Sequence, residues 1–303
     1  MEERPPEIRR HRQASSATRA LAALGGLILG VGVLAAIAFA VVGRDSGATS
    51  GPATQDTTTG PPPKPVLRIV FPEGFTRVEM ADRITAVNKI AEEKRKITPK
   101  LSEREYLRVT KTTDPPAEFP KDVPNLEGFL FPATYDFTED TTSKELVGDQ
   151  LEAFDHNWSQ IDLKYAKSKN LTPYDVLIIA SMIEKEVQVP KERALVAAVI
   201  YNRLHLGMAL QIDATLRYGF NIPPTQAILQ SQLDSDNPYN TRKFTGLTPT
   251  PISNPGLAAM QAAAHPAKVD YLYYVRKPDC QSHFFTASEQ EFLNYPRGGL
   301  NCG

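Results

Sequence analysis

The sequence predicts an α+β protein with a single N-terminal transmembrane helix and a mainly helical domain after it. Residues 21–42 carry no charged or strongly polar side chain. Residues 172–207 show helical apolar spacing with clear start and stop signals. The runs 269–275 and 282–286 are rich in aromatic and β-branched residues, and together they predict a β-hairpin.

The apolar segment Leu21–Val42 is long enough to cross a hydrocarbon core of ~30 Å as a helix. The apolar core of a cleaved signal peptide usually spans only about 7–15 residues, so the length favours a retained anchor. The alternative is a signal peptide that is cleaved near Ala48. Arginines are concentrated before the segment, which predicts a cytoplasmic tail over 1–20. We therefore expect a single-pass protein of the cell membrane, with everything after Val42 outside the cytoplasm.

Residues 43–65 are rich in Gly, Ser, Thr and Pro without an apolar pattern, which predicts a flexible linker. The folded part then begins with a β-rich run at 66–71. Thr76 and Glu79 are spaced as a capping box at the start of the next helix, and a second short helix begins at Ser102. This strand–turn–helix unit looks like a small LysM-like module, and we assign it to a subdomain over 66–125.

Composition narrows the classes of partner. The formal net charge is −1 across 303 residues, which gives no electrostatic reason to expect binding to nucleic acid. The two cysteines, Cys280 and Cys302, both follow the apolar segment, and an oxidising exterior permits a disulfide between them. Two free thiols are the alternative. No spacing indicates a metal site, and no cofactor is implied.

The clearest helix signals follow residue 171. Thr172, Pro173 and Asp175 predict an N-cap, a first-turn proline and a first-turn acid for a helix that runs to about Gln188. A second helix is predicted from Pro190 to a terminating glycine at Gly207. An Ala-rich helix is expected over 255–264, and a last helix is expected to open with a capping box at Thr286 and Glu289.

Glu184 and Glu186 end a helix that is otherwise almost wholly apolar. A carboxyl group at such a place is partly desolvated, which raises its pKa, and a general acid for glycosidic cleavage needs a raised pKa. The two residues lie ~200° apart around the helix, so they do not share one site. Glu186 stacks over the bulkier apolar side of the helix, which favours Glu186 over Glu184 as the group with the raised pKa. Two solvated acids at a helix end are the structural alternative.

Polar residues also interrupt the apolar pattern of the following segment. Asn202 and Arg203 continue an apolar helix stripe, so Arg203 either extends along the core or orients a carboxylate or a sugar oxygen. Alternation over 210–214 predicts a short extended segment with Gln211, Asp213 and Thr215 on one face. Such a face suits a saccharide, although an exposed strand face fits the pattern equally well.

Six segments, in order and in spacing, resemble the MltG/YceG family of endolytic murein transglycosylases. They are 126–135, 180–186, 201–213, 237–241, 252–256 and 263–266. The resemblance extends over roughly residues 66–295. It implies a catalytic domain over 126–303 that cleaves the MurNAc–GlcNAc bond of nascent glycan strands and leaves 1,6-anhydro-MurNAc ends. Peptidoglycan strands are the implied substrate, and cell-wall synthases (penicillin-binding proteins) are implied partners.

The resemblance also assigns residues. It makes Glu186 the catalytic group, acting first as acid and then as base. Residues within the matching segments are the candidates for substrate binding: Asn202, Gln211, Asp213, Tyr239 and Asn240. Val187 departs from the family, where a small hydroxyl residue is usual. This departure favours an alternative function, a catalytically weak glycan-binding scaffold that recruits synthases.

Overall fold

The computed structural model describes residues 64–296, which fold into helices with two small sheets, as the sequence predicts. The strands are β1 (Leu67–Val70), β2 (Thr134–Phe137), β3 (Tyr273–Arg276) and β4 (His283–Thr286). The helices are α1 (Arg77–Arg95), α2 (Glu103–Thr112), α3 (Ser143–Trp158), α4 (Lys164–Ser168), α5 (Pro173–Glu186), α6 (Arg193–His205), α7 (Asp213–Phe220), α8 (Gln230–Leu233), α9 (Leu257–Ala264) and α10 (Glu289–Asn294). A 3₁₀ turn, Pro190–Glu192, links α5 to α6.

Helix α5 lies in the middle of the core and is buried continuously over residues 174–183. Its start has the predicted form, because the Thr172 hydroxyl accepts from the Asp175 backbone N–H and the Asp175 carboxylate accepts from that of Thr172. Helices α6 and α9 pack against it. The Ser181 hydroxyl also accepts from the backbone N–H of Ile252. The core therefore fixes where α5 ends.

Strands β1 and β2 are antiparallel and place Ile69 opposite Tyr135. The predicted capping box at Thr76 is confirmed, and Ser102 caps α2. Strand β2 lies beyond residue 125, and one hydrophobic core includes residues from both sides of that position. The LysM-like subdomain over 66–125 therefore stays a prediction, and its strand pairs outside that range.

The predicted hairpin forms at the C-terminal end, where β3 and β4 pair antiparallel with Tyr274 opposite Phe285. The predicted end of α6 is also confirmed, because Gly207 has a left-handed φ of 65°. The predicted cap of the last helix is wrong. Ser288 accepts from the Glu291 backbone N–H and caps α10, whereas Thr286 belongs to β4.

Several predictions concern residues outside the described range. These are the cytoplasmic tail (1–20), the transmembrane helix (21–42), most of the linker (43–65) and the Cys302 half of the disulfide. Within residues 64–296, none of the helices has both the length and the apolar character that a membrane span requires.

Candidate active site

Glu186 is the last residue of α5, and its side chain is partly buried. The hydroxyl of Tyr274 in β3 donates to Glu186 Oε2 at 3.1 Å. Because α5 is enclosed by the core and β3 lies in the hairpin, two separate elements hold this carboxyl group in place. The acid predicted from the apolar helix therefore lies where α5 meets the hairpin.

Burial raises the pKa of the Glu186 carboxyl above its usual range. The Tyr274 hydrogen bond acts in the opposite direction, since it stabilises the ionised form. The nearby charge of Asp213 raises this pKa further, while those of His283 and Arg276 lower it. The net effect favours the protonated form, which a general acid must have before it reacts.

Glu184 faces a different part of the molecule, as the helical spacing predicts. Its Oε2 accepts from the backbone N–H of Gly256 at 3.0 Å, where α9 begins. Burial raises the pKa of Glu184, and the Glu73 carboxylate raises it further. Glu184 thus acts as a capping group for α9 on the side of α5 away from the hairpin.

The extended segment predicted over 210–214 is wrong, because α7 begins at Asp213 and Thr215 is buried inside it. Gln211 adopts a left-handed φ of 56° and is exposed, and Ile212 precedes the helix as its N-cap. The short alternating run reflects a tight entry into a helix. It does not reflect a strand.

Asp213 nevertheless lies near Glu186, as its effect on the Glu186 carboxyl indicates. Its Oδ1 accepts from Arg242 Nε at 2.8 Å and Nη2 at 2.6 Å. Both side chains are about half exposed. The Asp213–Arg242 pair and the neighbouring Gln211 therefore form a polar, accessible surface on the α7 side of the acid.

Asn202 and Arg203 bind backbone carbonyl groups, which are partners that neither sequence-based interpretation of Arg203 named. Asn202 Nδ2 donates to the carbonyls of Val269 and Tyr271. Arg203 donates to three further carbonyls, those of Leu272, Ala209 and Leu210. These bonds attach the segments before β3 and before α7 to α6. A substrate contact of Asn202 stays a prediction.

Tyr239 and Asn240 have different polar partners, and Tyr239 lies near the buried carboxyl group of Glu127. Asn240 is fully buried, and its Nδ2 donates to the carbonyls of Leu233 and Ser235. The Tyr239 hydroxyl bonds to Thr250 Oγ1 at 2.7 Å, and its ring packs edge-on against Tyr218. Their predicted substrate contacts stay predictions as well.

Glu127 is a buried acid to which the sequence analysis gave no role. It accepts from the Arg77 backbone N–H at 3.0 Å, from Asn254 Nδ2 at 2.8 Å and from the Tyr218 hydroxyl at 3.2 Å. Its exposed fraction is 1%, and burial raises its pKa from 4.5 to about 7. Glu127 lies within one of the segments that resemble the family, and this position could have indicated that the residue matters. The resemblance does not identify its hydrogen-bond partners.

Tyr274 and Arg242 were also missed. Tyr274 belongs to a run of three tyrosines and a leucine, in which strand alternation does not single out one hydroxyl. Arg242 follows a matching segment directly, and only the fold brings it to Asp213. Within the described part of the chain, no three His, Cys, Asp or Glu side chains are grouped closely enough to hold a metal ion.

A cavity of about 430 Å³ lies beside α6, away from the residues around Glu186. Its lining includes Tyr165, Tyr201, Asn202 and Lys268. The residues that line this cavity do not include Glu186, Tyr274 or Asp213.

Comparison with known proteins identifies the family of the chain. The profile of the YceG-like family matches residues 48–297. An endolytic murein transglycosylase of Bacillus subtilis is 34% identical over 221 residues, which are 70% of this chain and 59% of the relative. One of Streptococcus pneumoniae is 35% identical over 237 residues, which are 72% of this chain and 42% of the relative.

The chain thus spans less than two thirds of the length of these relatives. A crystal structure of a YceG-like protein from Listeria monocytogenes superimposes with a TM-score of 0.62 at 30% identity, over 74% of each chain. The family profile covers the described fold from β1 to α10, including the α5 and hairpin residues that build the site. The chain belongs to the YceG-like family.

Proposed function

We propose that this protein is an endolytic lytic transglycosylase that cleaves the MurNAc–GlcNAc bond within peptidoglycan glycan strands. The observation that carries the proposal is the Glu186 carboxyl group. It is partly buried at the end of the core helix, its pKa is raised, and Tyr274 holds it by a hydrogen bond. Relatives named endolytic murein transglycosylase match 70% and 72% of the chain.

The reaction needs one group that gives a proton and later takes one back. Protonated Glu186 donates to the glycosidic oxygen as the bond from MurNAc C1 breaks, and the GlcNAc-side alcohol leaves. The resulting Glu186 carboxylate then removes the proton of the MurNAc C6 hydroxyl, whose oxygen attacks C1. The products are an alcohol and a 1,6-anhydro ring, without net consumption of water.

A single carboxyl group is sufficient for these two reaction steps, whereas ordinary glycosidases use a pair of carboxyl groups. Asp213 is the neighbouring carboxylate, and it forms an ion pair with Arg242. Its negative charge raises the pKa of Glu186, so it favours the acid form before the first step. Asp213 therefore supports the acid without replacing it.

Val187 bears on the alternative of a weak glycan-binding scaffold. Its side chain is buried, and its backbone N–H closes the last turn of α5 on the Ile183 carbonyl. It gives Glu186 no hydrogen bond, but the Tyr274 hydroxyl does. We infer that Tyr274 takes over the role that a hydroxyl residue after the acid would have.

The proposal includes a location. The apolar segment 21–42 and the arginines before it support a membrane anchor with a cytoplasmic N-terminus and an extracytoplasmic enzyme domain. An enzyme tethered in this way would meet glycan strands close to the membrane. Penicillin-binding proteins, which polymerise those strands, are the partners that we propose for it.

The test is strand cleavage by the full-length chain in detergent, with mass spectrometry of the products. We expect anhydro-ended fragments from the unaltered protein and at least a 100-fold loss in Glu186→Gln, since the amide donates no proton in general acid catalysis. The matched control is Glu184→Gln, which we expect to keep activity and lose only about 1 kcal/mol of stability from the α9 cap. Equal activity in both variants would reject Glu186 as the acid.

A further inference from the structure

Glu192 and His283 form a buried pair next to the proposed active site. Glu192 Oε2 lies 2.8 Å from His283 Nδ1, and Glu192 Oε1 accepts from the His283 backbone N–H at 3.0 Å. The two residues are only 4% and 5% exposed. Glu192 ends the 3₁₀ turn after α5, and His283 begins β4, so the pair joins the turn beyond the acid to the hairpin.

The pair reaches Glu186 through Tyr274. The His283 ring packs edge-on against the Tyr274 ring, with centroids 5.4 Å apart and an interplanar angle of 88°. The Tyr274 hydroxyl in turn donates to Glu186 Oε2. One connected set of contacts therefore runs from the α5–α6 turn, through the hairpin, to the carboxyl group at the end of α5.

Desolvation makes such a pair costly, because each group loses its hydration when buried. The attachment of the hairpin does not require it, since Asn202 and Arg203 already bind three carbonyls just before β3. The bidentate use of Glu192 fixes Nδ1 as the protonated ring nitrogen and sets the orientation of the ring. That orientation decides which edge the ring presents to Tyr274.

We propose that Glu192 and His283 are positioning residues for Glu186, since they hold Tyr274 against its carboxyl group. This inference rests on the proposed function of Glu186. The charged and titratable groups that face Glu186 are Asp213 from α7, Tyr274 and Arg276 from β3, and His283 from β4. Among these, the position of Tyr274 depends most directly on the buried pair.

Two variants separate the pair's components, and both use the full-length chain. Glu192→Gln keeps an oxygen for the His283 backbone N–H but removes the negative charge. His283→Asn keeps a donor near the Nδ1 position but removes the ring that packs on Tyr274. We expect each to lower kcat roughly 10- to 100-fold, the size of effect that a displaced reacting group produces, with KM changed less than about twofold.

The pH profile provides the readout that loss of stability alone does not alter. A positive charge on His283 lowers the pKa of Glu186, and so does the Tyr274 hydrogen bond. Removing either influence raises that pKa, so the alkaline limb of the kcat profile should move to higher pH in both variants. The double variant should cost no more than the worse single variant, because the two residues act as one unit.

Tyr106→Phe is the matched control. Tyr106 and Gln150 are fully buried, and the Tyr106 hydroxyl donates to Gln150 Oε1 at 2.8 Å in the core beside α1. We expect this variant to unfold at a lower temperature with an unchanged kcat and pH profile. If Glu192→Gln and His283→Asn behave in the same way, the pair is merely structural and the proposal is overturned.

A measurement without substrate separates this inference from the proposed function. Carboxyl ¹³C NMR of glutamate-labelled protein follows the ionisation of Glu186, whose resonance is assigned by its loss in Glu186→Gln. A higher ionisation midpoint in Glu192→Gln supports the pairing even if no variant cleaves glycan, whereas an unchanged midpoint contradicts it. Absence of anhydro products from the unaltered chain would reject the proposed function alone.

Discussion

The Tyr274 hydroxyl is the direct hydrogen-bond donor to Glu186 in the structure. Burial raises the pKa of Tyr274, so it stays protonated and keeps donating throughout the neutral range. In the proposed reaction, this hydrogen bond would stabilise the Glu186 carboxylate that forms once the glycosidic oxygen has been protonated. This role makes it the most informative single hydroxyl to remove.

We expect Tyr274→Phe to lower kcat roughly 10- to 100-fold, since a charge-assisted hydrogen bond contributes about 1.5–3 kcal/mol. The pKa of Glu186 should rise in this variant, so the activity that remains should persist to higher pH. Steady-state kinetics across pH measures both effects. Tyr273→Phe on the neighbouring position is the control, and an equal loss there would contradict a specific role for Tyr274.

Glu127 gives a prediction about stability. Its pKa in the folded state is about 7, against 4.5 for an ordinary glutamate, because burial disfavours its charge. The unfolded chain therefore ionises first as the pH rises. Its contribution to stability is fully present below about pH 4.5 and is lost as the pH rises through about 7.

Glu127→Gln copies the protonated acid, so this loss should disappear. The free energy of unfolding of the variant, relative to that of the unaltered protein, should rise by of the order of 3 kcal/mol between pH 4 and pH 8. Urea unfolding followed by the fluorescence of Trp158, which is the sole tryptophan and is buried, measures the difference. Exposed Glu152→Gln in α3 is the reference, and the same pH trend there would contradict the assignment.

At the scale of elements, Arg203 connects both sides of the proposed site. It binds the Leu272 carbonyl before β3 and the carbonyls of Ala209 and Leu210 before α7. Burial lowers the pKa of Arg203, although a guanidinium stays charged at any physiological pH. This single side chain thereby sets the spacing between Tyr274 and Asp213.

Arg203→Lys keeps the charge but cannot donate in three directions from a planar group. We expect a loss of about 2 kcal/mol in stability and faster amide exchange in β3 and β4, measured by hydrogen–deuterium exchange. Arg68→Lys is the comparison, because Arg68 makes an exposed ion pair with Asp136, and such pairs contribute little. If amide exchange in the hairpin is unchanged in Arg203→Lys, Arg203 does not hold the hairpin in place through its carbonyl hydrogen bonds.

The sequence was sufficient for elements with local signals. The starts of α1, α2 and α5 depend on cap residues such as Thr76, Ser102 and Thr172, and each lies where it was predicted. Strand β2 and helix α3 were not predicted, although Thr142 and Glu145 form a capping box that was available in the sequence. The segment 210–214 was misassigned because a few alternating residues fit a strand and a helix entry equally well.

The site was predictable only in part. Periodicity placed Glu186 and Glu184 on different sides of α5, and the structure agrees. The partners of Glu186 come from β3 and β4, whose distance from α5 in the chain hides them from any local pattern. Asn202 and Arg203 were recognisable as polar residues on a buried face, but only the fold shows that backbone carbonyls are their partners.

At the scale of the whole molecule, Asn254 joins the segment before α1 to residues 127–130. Its Oδ1 accepts from the backbone N–H groups of Gly128 and Leu130, while its Nδ2 donates to Glu127 and to the Phe75 carbonyl. Gly128 has a φ of 93°, and a Cβ there would lie 2.6 Å from Pro251 Cγ. The junction therefore requires a glycine both for its conformation and for its space.

Gly128→Ala should cost at least ~2 kcal/mol, because the backbone must leave a left-handed conformation and the Pro251 contact must open. Chemical denaturation of the full chain measures the loss. Gly148→Ala in α3 is the control, where an added methyl group meets nothing within 4 Å and should stabilise the helix by up to ~1 kcal/mol. A neutral result at Gly128 would show that the junction tolerates rearrangement.

The enclosure of α5 determines how the protein should respond to heat. Since residues 174–183 are buried on all sides, the end of this helix cannot shift while the surrounding core remains intact. Thermal inactivation should then coincide with cooperative melting of the whole domain. Temperature-sensitive variants of this protein should accordingly carry substitutions among the apolar residues of α5 that precede Glu186, and not at the proposed substrate contacts.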